Sequence, residues 1–159
     1  MSEQVVTSGA TTPGAAPLEA PADEPIDLTE DPTEDAVEIR LPADSAFLSV
    51  LRTATAGLAA RLDFTLDEIE DLRIAVDEAC AMLLPYAIET AQLRCRFLLT
   101  PDTLSVTVTL PTTRGQLPER DTFSWTVLSA LAGEVDTGSN EDREVWIRLR
   151  KRRTPFGSG

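Results

Sequence analysis

Residues 66–84 read LDEIEDLRIAVDEACAMLL. Ile69, Leu72, Val76, Ala79 and Leu83 recur at three- and four-residue spacing, which places them on one stripe of a helix. Thr65 precedes the run and Glu68 follows it by three. That spacing is a capping box, in which the Thr oxygen and the Glu carboxylate take up amides left free at a helix start. Pro85 stands where a further turn would cost a hydrogen bond and a clash.

Upstream, Val37, Ile39 and Leu41 alternate with Glu38 and Arg40, the period of a half-buried strand that Pro42 ends. Asp44 or Ser45 is placed to cap a helix. Phe47, Leu51, Ala54, Leu58 and Leu62 give that helix its apolar stripe, and Arg52 falls off the stripe, facing outward. Downstream, Leu93, Cys95, Phe97 and Leu99 alternate, as do Leu104, Val106, Val108 and Leu110. The intervening Pro101-Asp102 is a turn signal, so the two runs predict a hairpin. Residues 111–121 read as a polar loop. Trp125, Leu128, Leu131 and Val135 predict a third helix, residues 136–142 a second loop, and Val145, Ile147 and Leu149 a last strand that leaves Trp146 on its outer side.

Strand, helix, helix, strand, strand, helix, strand is an α+β order. Each strand has one apolar face and each helix one stripe. Three helices on one face of a four-stranded, mostly antiparallel sheet bury all of them in a two-layer sandwich.

Charge divides the chain. Its net charge is −13, yet residues 1–35 hold nine acidic residues and no Lys or Arg. That segment is rich in Pro, Ala and Thr and poor in large apolar side chains, so it is expected to be a disordered tail. The expected divisions are a tail over 1–35, a domain over 36–151 and a C-terminal tail over 152–159. The basic run 148–153 is read as solvated chain end. An acidic domain does not neutralise phosphates, which argues against direct nucleic-acid binding. There is no His, which removes the commonest general base and metal ligand, so no metal site is expected. Cys80 and Cys95 sit in apolar segments and are expected to be buried free thiols. No apolar run approaches a membrane span and no signal peptide is visible, so a cytoplasmic protein is expected. Asp77, four residues after Arg73, reads as half of a surface helix pair.

Residues 66–84 resemble the helix of anti-sigma regulatory factors that act as serine kinases, within the histidine-kinase-like ATPase superfamily of gyrase, Hsp90, histidine kinases and MutL. Residues 41–62 resemble that family's first helix. Residues 125–135, ending Ala-Gly-Glu-Val, resemble its last. The resemblance covers about residues 36–151 and implies the short form of that fold.

It also implies a site, and this sequence departs from it. The family's helix carries a Glu acting as base and, four residues later, an Asn that ligates magnesium. Glu78 holds the base position, as a vestigial candidate, and Met82 the Asn position. A thioether is a poor ligand for a hard cation. Leu110 stands where an Asp would bond adenine, only Gly115 remains of the glycine-rich turn in residues 111–115, and Thr122-Phe123-Ser124 replaces a glycine pair. No cofactor is therefore expected, and the kinase activity that the family implies is in question.

What the resemblance implies instead is competitive protein binding. The expected partners are an alternative sigma factor and an anti-anti-sigma protein, with a homodimer formed through the helical region. Arg52, with Leu48 and Ser49, falls where the family's first helix contacts sigma. Arg brings a planar, multi-donor fork suited to interfaces. An ATP- and Mg-dependent serine kinase acting on the antagonist is the alternative activity, and a pseudo-ATPase scaffold for another signalling protein a second.

Overall fold

A computed structural model describes residues 34–156 except 114, 116 and 117. The expected tail over 1–35 thus falls, up to residue 33, outside the described residues. The elements run β1 (Asp35–Pro42), α1 (Leu48–Arg61), α2 (Leu66–Leu83), β2 (Gln92–Leu99), β3 (Thr103–Pro111), α3 (Phe123–Leu131), β4 (Glu134–Ser139) and β5 (Glu144–Arg152). Short 3-10 turns at Ser45–Phe47 and Leu84–Tyr86 precede α1 and follow α2.

The strands form one antiparallel sheet in the order β1-β2-β3-β5-β4. Pairs such as Cys95↔Val108 and Val108↔Ile147 put the alternating apolar residues of β2, β3 and β5 on one face. Phe97, Leu104, Val106, Leu110, Ile147 and Leu149 are fully buried there, with Leu72, Val76 and Leu83 of α2 in the same core. Side chains of this size each contribute about 1.5–3 kcal/mol on burial, which makes this face the main source of stability. Arg94, Arg96, Thr107, Trp146 and Arg148 alternate onto the other face and are not buried.

The α+β sandwich with three helices is as expected, but the sheet has five strands, not four. The extra one is β4. The predicted third helix ends at Leu131, so Val135 belongs to β4, and the predicted loop over 136–142 is strand through Ser139. Only Val135 of EVDTGS is a large apolar residue. Thr137 takes the next inward position, buried, with its hydroxyl donating to the Trp146 carbonyl at 2.7 Å. A strand whose core face is one Val and one Thr leaves no alternation to read.

The first helix also differs. Phe47 lies in the 3-10 turn and is 41% exposed, so the stripe that packs inward is Leu48, Leu51, Thr55 and Ala59. Ala54, Leu58 and Leu62 flank it, partly buried. Thr55 can be interior because its hydroxyl donates back to the Leu51 carbonyl at 2.7 Å. A Thr in that position hides the stripe from a count of apolar residues.

The capping box forms as read, and more hangs on it. Glu68 Oε2 accepts from the Thr65 amide at 2.7 Å, and Thr65 Oγ accepts from the Glu68 amide at 3.2 Å. Glu68 Oε1 accepts from the Thr154 amide at 2.9 Å and from the Thr154 hydroxyl. The basic run is therefore no loose end. β5 continues to Arg152, Lys151 donates to Asp71 and to the Leu131 carbonyl, and Thr154 is tied to the start of α2.

Candidate functional site

Two places carry the residues singled out in the sequence. The first is the seam between α1 and α2. Arg52 Nε donates to Asp77 Oδ1 at 2.8 Å, joining residues 25 apart, with 41% and 38% of the two side chains exposed. Arg52 is thus off the inward stripe but not free-standing. Asp77 does not pair with Arg73, as expected from the spacing; Arg73 pairs with Glu70 at 2.9 Å. The partner of Asp77 lies on α1, and the sequence of α2 alone does not contain it. Ser49 is exposed beside Val50 and Thr53. Leu48, expected among the contact residues, is 7% exposed and belongs to the core. It begins the inward stripe once the helix starts one residue later than the pattern implied.

The second place is where α2 ends near the start of α3. A cleft of about 270 Å³ is lined by Met82, Tyr86, Pro118, Glu119, Thr122 and Ser124, among others. Met82 lies one turn after Glu78 on α2, but Glu78 is not part of the lining; it is half-buried and makes no hydrogen bond among the described residues. Leu110 is fully buried on the inner face of β3. Thr112 closes the end of that strand, its hydroxyl donating to the Arg143 carbonyl at 2.9 Å and accepting from the Gly115 amide at 2.7 Å. At the start of α3, Thr122 Oγ accepts from the Trp125 amide at 3.2 Å, taking one of the free donors of the first turn, and Phe123 is 82% exposed. Among the described residues no Lys or Arg lines the cleft, and the charged group in that lining is the Glu119 carboxylate.

The two thiols are free and buried. Burial, and then the charge of Asp77, push Cys80 up to about 12; burial, and then Cys80, push Cys95 higher still. Among the described residues no cluster of three or more His, Cys, Asp or Glu could hold a metal ion, and no helix is long and apolar enough to cross a membrane.

No family model matches the chain. Individual proteins do. It is 38% identical over 88 residues to the serine-protein kinase RsbW of Halalkalibacterium halodurans, covering 55% of this chain and 52% of that one. It is 34% identical over 102 residues to the anti-sigma-F factor RsbW of Mycobacterium tuberculosis, covering 64% and 61%. Over these segments the chain is similar to RsbW proteins. The serine-protein kinase RsbW of Bacillus subtilis matches at 36% over 75 residues, 45% of this chain and 47% of that one. The chain spans about half the length of the curated relatives it matches. Among solved structures, the RsbU and RsbW domains of Rv1364c from M. tuberculosis superpose with a TM-score of 0.59 at 15% identity, over 76% of this chain and 33% of that one. At that identity the match establishes a shared fold, the one the RsbW resemblance implies.

Proposed function

We propose that this chain is a cytoplasmic anti-sigma factor of the RsbW kind, which binds an alternative sigma factor, holds it from RNA polymerase and releases it to an anti-anti-sigma protein without turning over ATP. The observation that carries the reading is the 34% identity, over 64% of the chain, to a protein named anti-sigma-F factor. The sigma-binding surface is placed on exposed α1, with Arg52 and Ser49, and a second copy is expected to pair through the helical layer.

What supports a binder over a kinase is the chemistry of the cleft. A magnesium–nucleotide complex needs a hard oxygen ligand where Met82 offers sulfur. It needs cations or free amides for the phosphates, where the described lining residues include one carboxylate and no base. It needs a carboxylate for the adenine amino group at a position where Leu110 is sealed in hydrocarbon. These residues do not fit the group.

The second reading is an ATP-dependent serine kinase acting on the antagonist. The names of two matched relatives, serine-protein kinases, favour it, as does Glu78 at the base position. An affinity capture from the native cell, identified by mass spectrometry, tests the first reading: a sigma factor among the captured proteins is expected. Transfer of labelled γ-phosphate to a serine of a co-purified partner, abolished by Glu78→Gln, would establish the second instead.

A further inference from the structure

We infer that Thr154 is a phosphorylation site, and that its modification detaches the C-terminal segment from the start of α2. The inference does not depend on which partner the protein binds. It rests on the pairing of one hydroxyl with one carboxylate and on the residues that precede it.

Thr154 directly follows Arg150, Lys151, Arg152 and Arg153 and precedes Pro155. Arg150, Arg152 and Thr154 are exposed. The segment is held by identifiable bonds: Arg152 Nε to Asp102 Oδ2 at 2.9 Å, the Arg153 amide to the Asp102 carbonyl at 2.7 Å, and Thr154 to Glu68. A basic run ahead of an exposed Thr suits a protein kinase whose substrate groove is acidic, because Arg pairs with carboxylates in a charge-assisted, directional way. Such a run alone is common. What sets this Thr apart is where its hydroxyl goes.

The hydroxyl is a donor to Glu68 Oε1, and Glu68 is 9% exposed. Burial raises the Glu68 carboxyl, but the hydrogen bonds from Thr154 and Thr65 outweigh it and hold the group below the usual carboxylate range. The contact therefore holds an ionised carboxylate against a hydroxyl proton. In the reaction, Thr154 Oγ attacks the γ-phosphorus of ATP held by a separate Ser/Thr protein kinase. The bond from that phosphorus to the bridging oxygen breaks, ADP leaves, and the hydroxyl proton passes to the kinase's base. The product has lost the donor proton and gained a charge of about −1.5 to −2 beside Glu68. Like charges at hydrogen-bond distance repel, and the Glu68 carboxylate, 9% exposed, has little water to screen it. The nearest base in sequence, Arg153, stacks on Phe156 at 4.2 Å and donates through Nη2 to the Pro101 carbonyl, while its Nε has no partner among the described residues; one such donor does not offset the repulsion from Glu68. The phosphorylated segment leaves, and the capping carboxylate of α2 loses two of its donors.

The test uses the full chain, folded, with Mg-ATP and the catalytic domain of either an arginine-directed or a proline-directed Ser/Thr kinase. One phosphate on Thr154 is expected, located by peptide mass spectrometry, retained in Thr154→Ser and absent from Thr154→Ala. The modified chain should melt about 4 °C lower than the unmodified one, as loss of a helix-start contact does. If neither kinase labels Thr154, or if the labelled chain melts where the unlabelled one does, the inference is overturned.

Discussion

Arg52 of α1 and Asp77 of α2 form an ion pair at 2.8 Å, so the residue proposed for the partner surface is also a side-chain link between the two helices. Each side chain is more than a third exposed, and solvent screens such a pair to about 0.2–1 kcal/mol. Its value to the fold is small. For the proposed binding role, what matters is that it holds the guanidinium fork in one orientation before a partner arrives.

This separates two substitutions. Arg52→Ala is expected to leave the melting temperature within a few degrees and to weaken sigma binding by about thirtyfold, the cost of truncating an interface anchor. Asp77→Ala removes the brace and keeps the fork, so affinity should fall less than tenfold. Surface plasmon resonance and calorimetry on the same preparations decide the matter. Equal losses for the two variants would mean that the pair, not the arginine, is recognised.

Much of this was legible in the residues. The capping box, the β2–β3 hairpin, the inner faces of β2, β3 and β5 and both buried thiols follow from local pattern, because each is built from neighbours in sequence. β4 and the α1 stripe were not legible, because Thr137 and Thr55 serve as core residues only once a carbonyl is there to accept their hydroxyls. The Arg52–Asp77 pair was hidden for a further reason: it joins two helices, and the nearer spacing to Arg73 offered a plausible but unused partner. Thr154 looked like chain end because nothing in its own sequence announces Glu68, 86 residues away.

Glu68 gives a pH dependence with a definite sign. Its folded carboxyl is held below the ordinary value of 4.5. A depressed carboxyl contributes stability that is present above its unfolded value and is lost as pH falls through the folded one. Glu68→Gln is expected to lower stability by about 1 kcal/mol near pH 7. The gap between the two proteins should close as pH drops below the ordinary carboxylate range, in urea melts run from pH 7 to pH 3. A gap that widens toward acid would contradict the assignment.

Gly138 of β4 lies opposite Trp146 of β5. A Cβ there would stand 2.3 Å from Trp146 Cζ2, while Arg148 covers the same ring at 5.0 Å. Gly138→Ala must displace the indole, costing about 1–3 kcal/mol as overpacking does, with a shift in tryptophan emission. In a Trp146→Ala background the same substitution should be nearly neutral. A double-mutant cycle with no coupling would place the cost in the backbone instead.

The thiols should be silent. With Cys80 pushed up to about 12 and Cys95 higher, almost no thiolate exists at neutral pH, and both groups are buried. Ellman's reagent is expected to release no colour from the native protein at pH 8 and two equivalents from the urea-unfolded chain. Reaction of one thiol at a rate independent of denaturant would show a route to the core that the fold does not contain.

The cleft at Met82 allows the sharpest test of the binder reading, because the missing parts can be restored one at a time. Wild type is expected to give no calorimetric heat with Mg-ATP up to millimolar concentration, a ceiling of about −4 kcal/mol in binding free energy. Met82→Asn returns the oxygen ligand one turn after Glu78, yet leaves the Glu119 carboxylate in the cleft, no base among the described lining residues and Leu110 in the core. It should therefore remain silent. Leu110→Asp should not rescue binding either, since an unpaired carboxylate at a fully buried position costs enough to threaten the fold itself, and a fall in melting temperature would report that directly. If Met82→Asn alone confers binding tighter than about 1 mM, the rest of the cleft is still shaped for a nucleotide. One lost ligand would then be all that separates this chain from its kinase relatives, and the kinase reading would regain its footing.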